Sequence, residues 1–131
     1  MDECVFCKII KGTIPAEKIY EDDEVLAFLD IKPVNLGHTL VIPKKHYEKM
    51  ESAPDDVISS VFISSKKLMK SIKEAMSADF VVLSVVGIDV PHFHVHLIPR
   101  YFNDKMPVFW PRKEYKEGEK ETVADKIRNF L

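Results

Sequence analysis

The run Pro91-His92-Phe93-His94-Val95-His96-Leu97-Ile98-Pro99 narrows the folds open to this chain more than any other segment. Imidazole and hydrocarbon alternate along it. A period of two belongs to a β-strand, whose side chains point to opposite faces in turn. The run therefore predicts a strand over 93–99, with His92, His94 and His96 on one face and Phe93, Val95 and Leu97 on the other. The apolar face must meet a core. The imidazole face is expected to open onto something polar, because stacked imidazoles need partners. Two chemistries suit such a face. Neutral imidazole binds zinc well, and an imidazole can attack phosphorus while its neighbours handle protons and charge. Spacing does not choose between them. One metal could take all three rings only if the strand bends, since same-face neighbours lie roughly 7 Å apart.

A second period runs from Pro54 to Ala78. Ile58, Val61, Phe62, Ser65, Leu68, Met69, Ile72 and Met76 fall on one helical face, which predicts one long amphipathic helix. Ser52-Ala53-Pro54-Asp55 reads as its start. Lys66, Lys67, Lys70 and Lys73 lie largely off the stripe and read as a solvated face. Residues 4–11 suggest a short helix ended by Gly12. Strands are expected over 18–22, 24–29 and 38–42. The apolar run Phe80-Val81-Val82-Leu83-Ser84-Val85-Val86 predicts a strand buried on both faces. From about 102 the chain is expected to be irregular and then helical to 131. Val123, Ile127 and Phe130 at helical spacing give that helix, with Thr122 as its cap. Strands, one long helix and more strands with short links imply an antiparallel α+β domain covering 1–131.

Composition sets limits on function. The hydrophobic share is 46% and the formal charge is -2, so a globular core is expected and a strongly basic nucleic-acid surface is not. No apolar run reaches the roughly 18 residues of a membrane span. Met1-Asp2-Glu3-Cys4 carries acids where an export signal would carry bases, so a cytoplasmic protein is expected. Cys4 and Cys7 are the whole cysteine supply. In a reducing compartment the spacing reads as a metal half-site or a redox pair.

The triad segment His92-Phe93-His94-Val95-His96-Leu97-Ile98 strongly resembles the signature of the histidine triad (HIT) family of nucleotide hydrolases and transferases. The likeness extends through Cys4-Val5-Phe6-Cys7-Lys8-Ile9-Ile10, through residues 20–31, and through Gly37-His38-Thr39-Leu40-Val41-Ile42-Pro43-Lys44-Lys45-His46. It is closest in character to the Hint-like branch from bacteria and archaea. The resemblance implies a HIT fold: an antiparallel sheet, one long helix and short terminal helices, paired as a homodimer.

It also implies chemistry. His94 would be the nucleophile toward the α-phosphorus of a purine nucleoside 5'-phosphoramidate or related substrate, releasing an AMP-like product. His96 would contact the phosphoryl oxygens or leaving group, and His38 would support the triad. Asp30 would bind the ribose hydroxyls, and Phe6, Ile9, Phe28 and Ile31 would line the base slot. Cys4, Cys7, His46 and His92 would hold a structural zinc ion. Arg100 reads equally as a surface charge or a phosphate contact. Trp110 resembles the C-terminal Trp of Hint-type proteins, whose C-terminal segment reaches the active site of the partner subunit. Diadenosine polyphosphate hydrolysis, nucleotide binding with little turnover, and a metal site made of the triad itself are the rival readings. The segment 84–90 departs from the family pattern. Ser84 is the nearest candidate for a phosphate-contacting residue, Ile88 replaces a Gln, and Asp89 stands where a Ser or Thr would meet phosphate. A carboxylate there would repel phosphate unless protonated or turned away.

Overall fold

The computed structural model describes residues 3–131; Met1 and Asp2, part of the stretch read above for an export signal, lie outside them. Elements follow the order α1 (Val5–Lys11), β1 (Lys18–Glu21), β2 (Val25–Leu29), β3 (Thr39–Pro43), α2 (Asp55–Ala75), β4 (Phe80–Ser84), β5 (Val95–Arg100) and α3 (Glu119–Arg128). The strands form one antiparallel sheet in the order β1-β2-β3-β5-β4. The expected α+β class and antiparallel sheet are both present.

The two-residue period sorts the core into two layers. Val25, Ala27, Val41, Phe93, Val95 and Leu97 face α2 and meet Val61, Leu68 and Ile72. Their neighbours Leu26, Phe28, Leu40 and Ile42 face the other way and meet Cys4, Phe6 and Ile9 of the α1 region. The predicted stripe of α2 is the buried one, and Lys66, Lys67, Lys70 and Lys73 are exposed as expected. No helix among the described residues is long and apolar enough to cross a membrane.

Several local expectations are corrected. The segment read as buried on both faces is β4, which lies at the sheet edge and is only half-buried throughout. The strands buried on both faces are β2 and β3. An apolar run marks contact with a core but not position within the sheet. Ser52 does not start α2. Pro54 is its N-cap, and Ser52 instead closes a short 3-10 turn by bonding Lys49. Gly118, not Thr122, precedes α3, and the Thr122 hydroxyl donates back to the Gly118 carbonyl. Ile127 and Phe130 are exposed. Arg100 is not a free surface charge. It is buried and donates to Asp104 and to the carbonyls of Met106 and Pro107, which tie down the chain after β5. Trp110 is exposed.

Gly37 leads into β3 with φ +96, and a Cβ there would come 2.8 Å from Met76 Cγ. That combines a backbone conformation unfavourable to L-residues with a steric overlap. Gly37→Ala is expected to destabilise the protein by about 1–3 kcal/mol, measured by urea unfolding. A change within error would show that this turn adapts freely.

Candidate active site

β5 begins only at Val95, two residues after the predicted start at Phe93, so His92 and His94 lie in the segment leading into it rather than in the ladder. The alternation survives, because Phe93, Val95 and Leu97 all enter the α2-side core. The imidazole face differs from expectation in being covered. His92 and His94 are 0% and 1% exposed. The cover is Phe6 of α1, whose ring meets His92 and His94 edge-on at 5.8 and 5.1 Å. Burial is tolerated because the backbone supplies the partners that solvent would otherwise give.

Those partners assign a tautomer to each ring. A carbonyl can only accept, so His94 Nδ1 carries the proton it donates to the His92 carbonyl at 2.7 Å. In the neutral ring its Nε2 is therefore a bare lone pair, and it is buried without a hydrogen-bond partner. An amide N–H can only donate, so His38 Nδ1 is the acceptor for Val34 N–H at 3.1 Å. The His38 proton then sits on Nε2, which donates to His96 Nδ1 at 3.0 Å. His96 in turn must carry its proton on Nε2, on the opposite side of its ring. The site thus offers a lone pair on His94 and an N–H on His96, with ring centroids 5.0 Å apart. A nucleophile beside an oxyanion donor needs this combination.

An apolar cleft of about 250 Å³ adjoins both rings. Phe6, Ile9, Phe28 and Ile31 all line it, the first three buried and Ile31 largely exposed. Ile14, Pro15 and Ala16 line it too, and the sequence reading missed them. Their only signal was apolar residues in a proline-broken loop with no periodic partner. Asp30 also lines the cleft. One of its oxygens accepts from Lys32 N–H and the other lies 3.6 Å from His38 Nε2. Ser84 is the cross-strand partner of His96 at the end of β4 but is not part of the cleft wall. Asp89 is: its Oδ1 stands 3.4 Å from His94 Nε2.

Cys4, Cys7, His46 and His92 come together as a group separate from the other two imidazoles, with donor atoms all within 4.8 Å of one another. His92 Nε2–H donates to the Pro43 carbonyl at 2.9 Å, which leaves Nδ1 as its lone pair. That Nδ1 is 3.3 Å from Cys4 Sγ, 3.6 Å from Cys7 Sγ and 3.1 Å from His46 Nδ1. Ordinary zinc bond lengths at a tetrahedral angle give N···N and N···S edges of about 3.4 and 3.6 Å. The donor set and spacing therefore fit zinc. The backbone bond on the far ring nitrogen is the kind of support that metal-bound histidines use. Burial, followed by the neighbouring Cys4, pushes the Cys7 thiol above its ordinary pKa, opposite to what a reactive redox pair needs. The three triad rings do not converge on one metal. Asp89, His94 and His96 form their own group, but the proton on His96 Nε2 leaves that group only two free ligands.

Burial holds His38 and His96 below the ordinary histidine range; Asp30 opposes the shift at His38, and Asp89 and Asp30 oppose it at His96. Burial likewise pushes His92 down to about 4. Below the unfolded value of about 6.5 the unfolded chain binds more protons than the folded one. Stability contributed by these neutral rings is thus complete above about pH 6.5 and is lost as pH falls toward their folded pKa values. Urea unfolding between about pH 8 and 5 is expected to show this decline, and His38→Asn should flatten it. An equally steep decline in the variant would remove His38 from the account.

The fold and site together define a class: an α+β protein whose sheet presents a lone-pair imidazole and a donor imidazole to an apolar cleft, beside a Cys2His2 group. Comparison with known proteins makes this specific. The HIT domain profile matches residues 11–103. A HIT-like protein of Methanocaldococcus jannaschii is 48% identical over 105 residues, covering 77% of this chain and 81% of the relative. The adenosine 5'-monophosphoramidase of Candida albicans is 40% identical over 106 residues, covering 74% and 70%. Among solved structures, a HIT family protein from Bacillus anthracis superposes with TM-score 0.86 at 40% identity, covering 99% of this chain and 98% of that one. A Zn-bound histidine triad family protein from Mycobacterium smegmatis does so with TM-score 0.77 at 29% identity, covering 99% of each chain. The chain belongs to the histidine triad (HIT) family.

Proposed function

We propose that the protein hydrolyses purine nucleoside 5'-phosphoramidates, or closely related nucleoside 5'-phosphoryl compounds, through a nucleotidyl-His94 intermediate. The observation that carries this reading is the unpartnered Nε2 lone pair of His94, aimed by the His92 carbonyl. In the first step that lone pair attacks the α-phosphorus, the P–N bond breaks, and the leaving nitrogen takes up a solvent proton. In the second, water adds to phosphorus and loses a proton to solvent, the His94–phosphorus bond breaks, and the nucleoside monophosphate leaves. His96 Nε2–H would hold a phosphoryl oxygen through both steps, and His38 would keep that proton in place. Phe6, Ile9, Phe28 and Ile31 would take the base, and Asp30 the ribose hydroxyls. The monophosphoramidase from Candida albicans supports the substrate class.

Cys4, Cys7, His46 and His92 would hold one zinc ion, as the Zn-bound relative suggests. Zinc there would supply a structural cross-link between the α1 region, the segment after β3 and the approach to β5. Diadenosine polyphosphates fit less well. The cleft is at the small end for ligand sites, roughly 300–1,000 Å³. No Lys or Arg lines it to receive a polyphosphate. Simple nucleotide binding is the second reading, favoured by the carboxylate of Asp89 beside the nucleophile. Incubation with adenosine 5'-phosphoramidate decides between them. Release of AMP is expected; tight binding without product would select the binding module.

A further inference from the structure

The reaction space in front of His94 has an unusual charge. Its Nε2 lies 3.4 Å from Asp89 Oδ1, and the two do not form a hydrogen bond. Any phosphorus attacked by Nε2 must enter beside this carboxylate. The cleft walls carry a second carboxylate, Asp30, and no Lys or Arg. The only polar hydrogen that the tautomer chain leaves free for an anion is that of His96 Nε2–H. Asp89 itself is 63% exposed, on a short loop where Gly87 has φ +74 and Ile88 projects into solvent. Partial burial pushes the Asp89 pKa up, hydrogen bonds from the Asp89 and Val90 amides pull it down, and the group lies below the ordinary carboxylate range, ionised near neutral pH.

We propose that Asp89 is a specificity-determining residue: its carboxylate selects substrates whose leaving group is an amine, cationic ones above all, and rejects those whose leaving group is an anion such as sulfate or a further phosphate. The inference deepens the phosphoramidase reading and rests on it for the leaving-group claim. As the P–N bond breaks and the nitrogen takes up a solvent proton, Asp89 accepts a hydrogen bond from the N–H and stabilises the positive charge developing there. An anionic leaving group gathers negative charge at the same point and is disfavoured. The same repulsion acts on the doubly charged monophosphate product and speeds its release.

The test has a binding arm that needs no turnover and a kinetic arm that does. Affinities of adenosine and AMP are measured for the wild type and Asp89→Asn. The variant is expected to bind AMP about tenfold more tightly, with adenosine unchanged within about twofold. In the kinetic arm, kcat/KM is compared for an adenosine phosphoramidate of a diamine and for adenylyl sulfate. The preference for the amine is expected to fall at least about tenfold in Asp89→Asn. If neither compound is turned over, the hydrolase reading fails, and with it the leaving-group claim, while the ratio of AMP to adenosine affinity still judges the charge selection. An unchanged ratio, or an unchanged kinetic preference, overturns the proposal. Failure to bind either nucleoside would remove the site itself.

Discussion

Replacing His94 by alanine is expected to lower kcat toward adenosine 5'-phosphoramidate by about 10³-fold or more, with nucleotide affinity changed far less. Every step assigned to the site passes through one nitrogen, so no neighbour can substitute for it. His96 is the nearest candidate, but its Nδ1 is taken by His38 and its Nε2 carries a proton. It therefore presents no lone pair. The loss must be separated from a packing defect, because His94 is buried against Phe6. His94→Gly provides that separation. A cavity of imidazole shape remains, and added imidazole is expected to restore part of the turnover. Activity in His94→Ala within about tenfold of wild type would end the covalent mechanism.

The second large effect concerns stability. Wild-type protein is expected to carry one equivalent of zinc, and Cys4→Ser/Cys7→Ser to carry none. The variant should lose at least about 3 kcal/mol, or about 10 °C in Tm for a chain of this size. The size of the effect follows from what the group joins. Cys4 caps α1 through the Cys7 amide, His46 follows β3, and His92 leads into β5. His92 Nδ1 lies 3.1 Å from His46 Nδ1 and 3.3 Å from Cys4 Sγ, so the four side chains share one small volume that the ion would hold together. Loss of the ion should also free α1, and with it the Phe6 cover over His94, so turnover should fall alongside Tm. Metal-free native protein with an unchanged Tm would remove zinc from the account.

What could be read from the residues alone was whatever depends on period and residue type. Alternation placed three imidazoles opposite Phe93, Val95 and Leu97, and the helical stripe placed Val61, Leu68 and Ile72 in the core. The family likeness brought Cys4 and Cys7 to His46 and His92, which the structure joins. What could not be read depends on long-range contact. The two-residue period cannot say that Phe6, in another element, closes over His94. Nor can it say whether an apolar run such as 80–86 sits at the sheet edge or its centre, since both positions demand hydrocarbon on at least one face. The tautomers were also hidden. They depend on Val34 N–H, the His92 carbonyl and the Pro43 carbonyl, and backbone groups leave no mark in composition. Asp89 was legible as a residue out of pattern, but its position beside His94 Nε2 needed coordinates.

The central claim is a bond between one imidazole nitrogen and phosphorus. Rapid mixing of the protein with adenosine 5'-phosphoramidate, followed by denaturing quench at neutral to alkaline pH and peptide mass spectrometry, looks for that bond directly. An adenylyl group is expected on His94, appearing before free AMP and decaying as AMP accumulates. Release of AMP with no adduct at any time, or with the adduct on another residue, would contradict it.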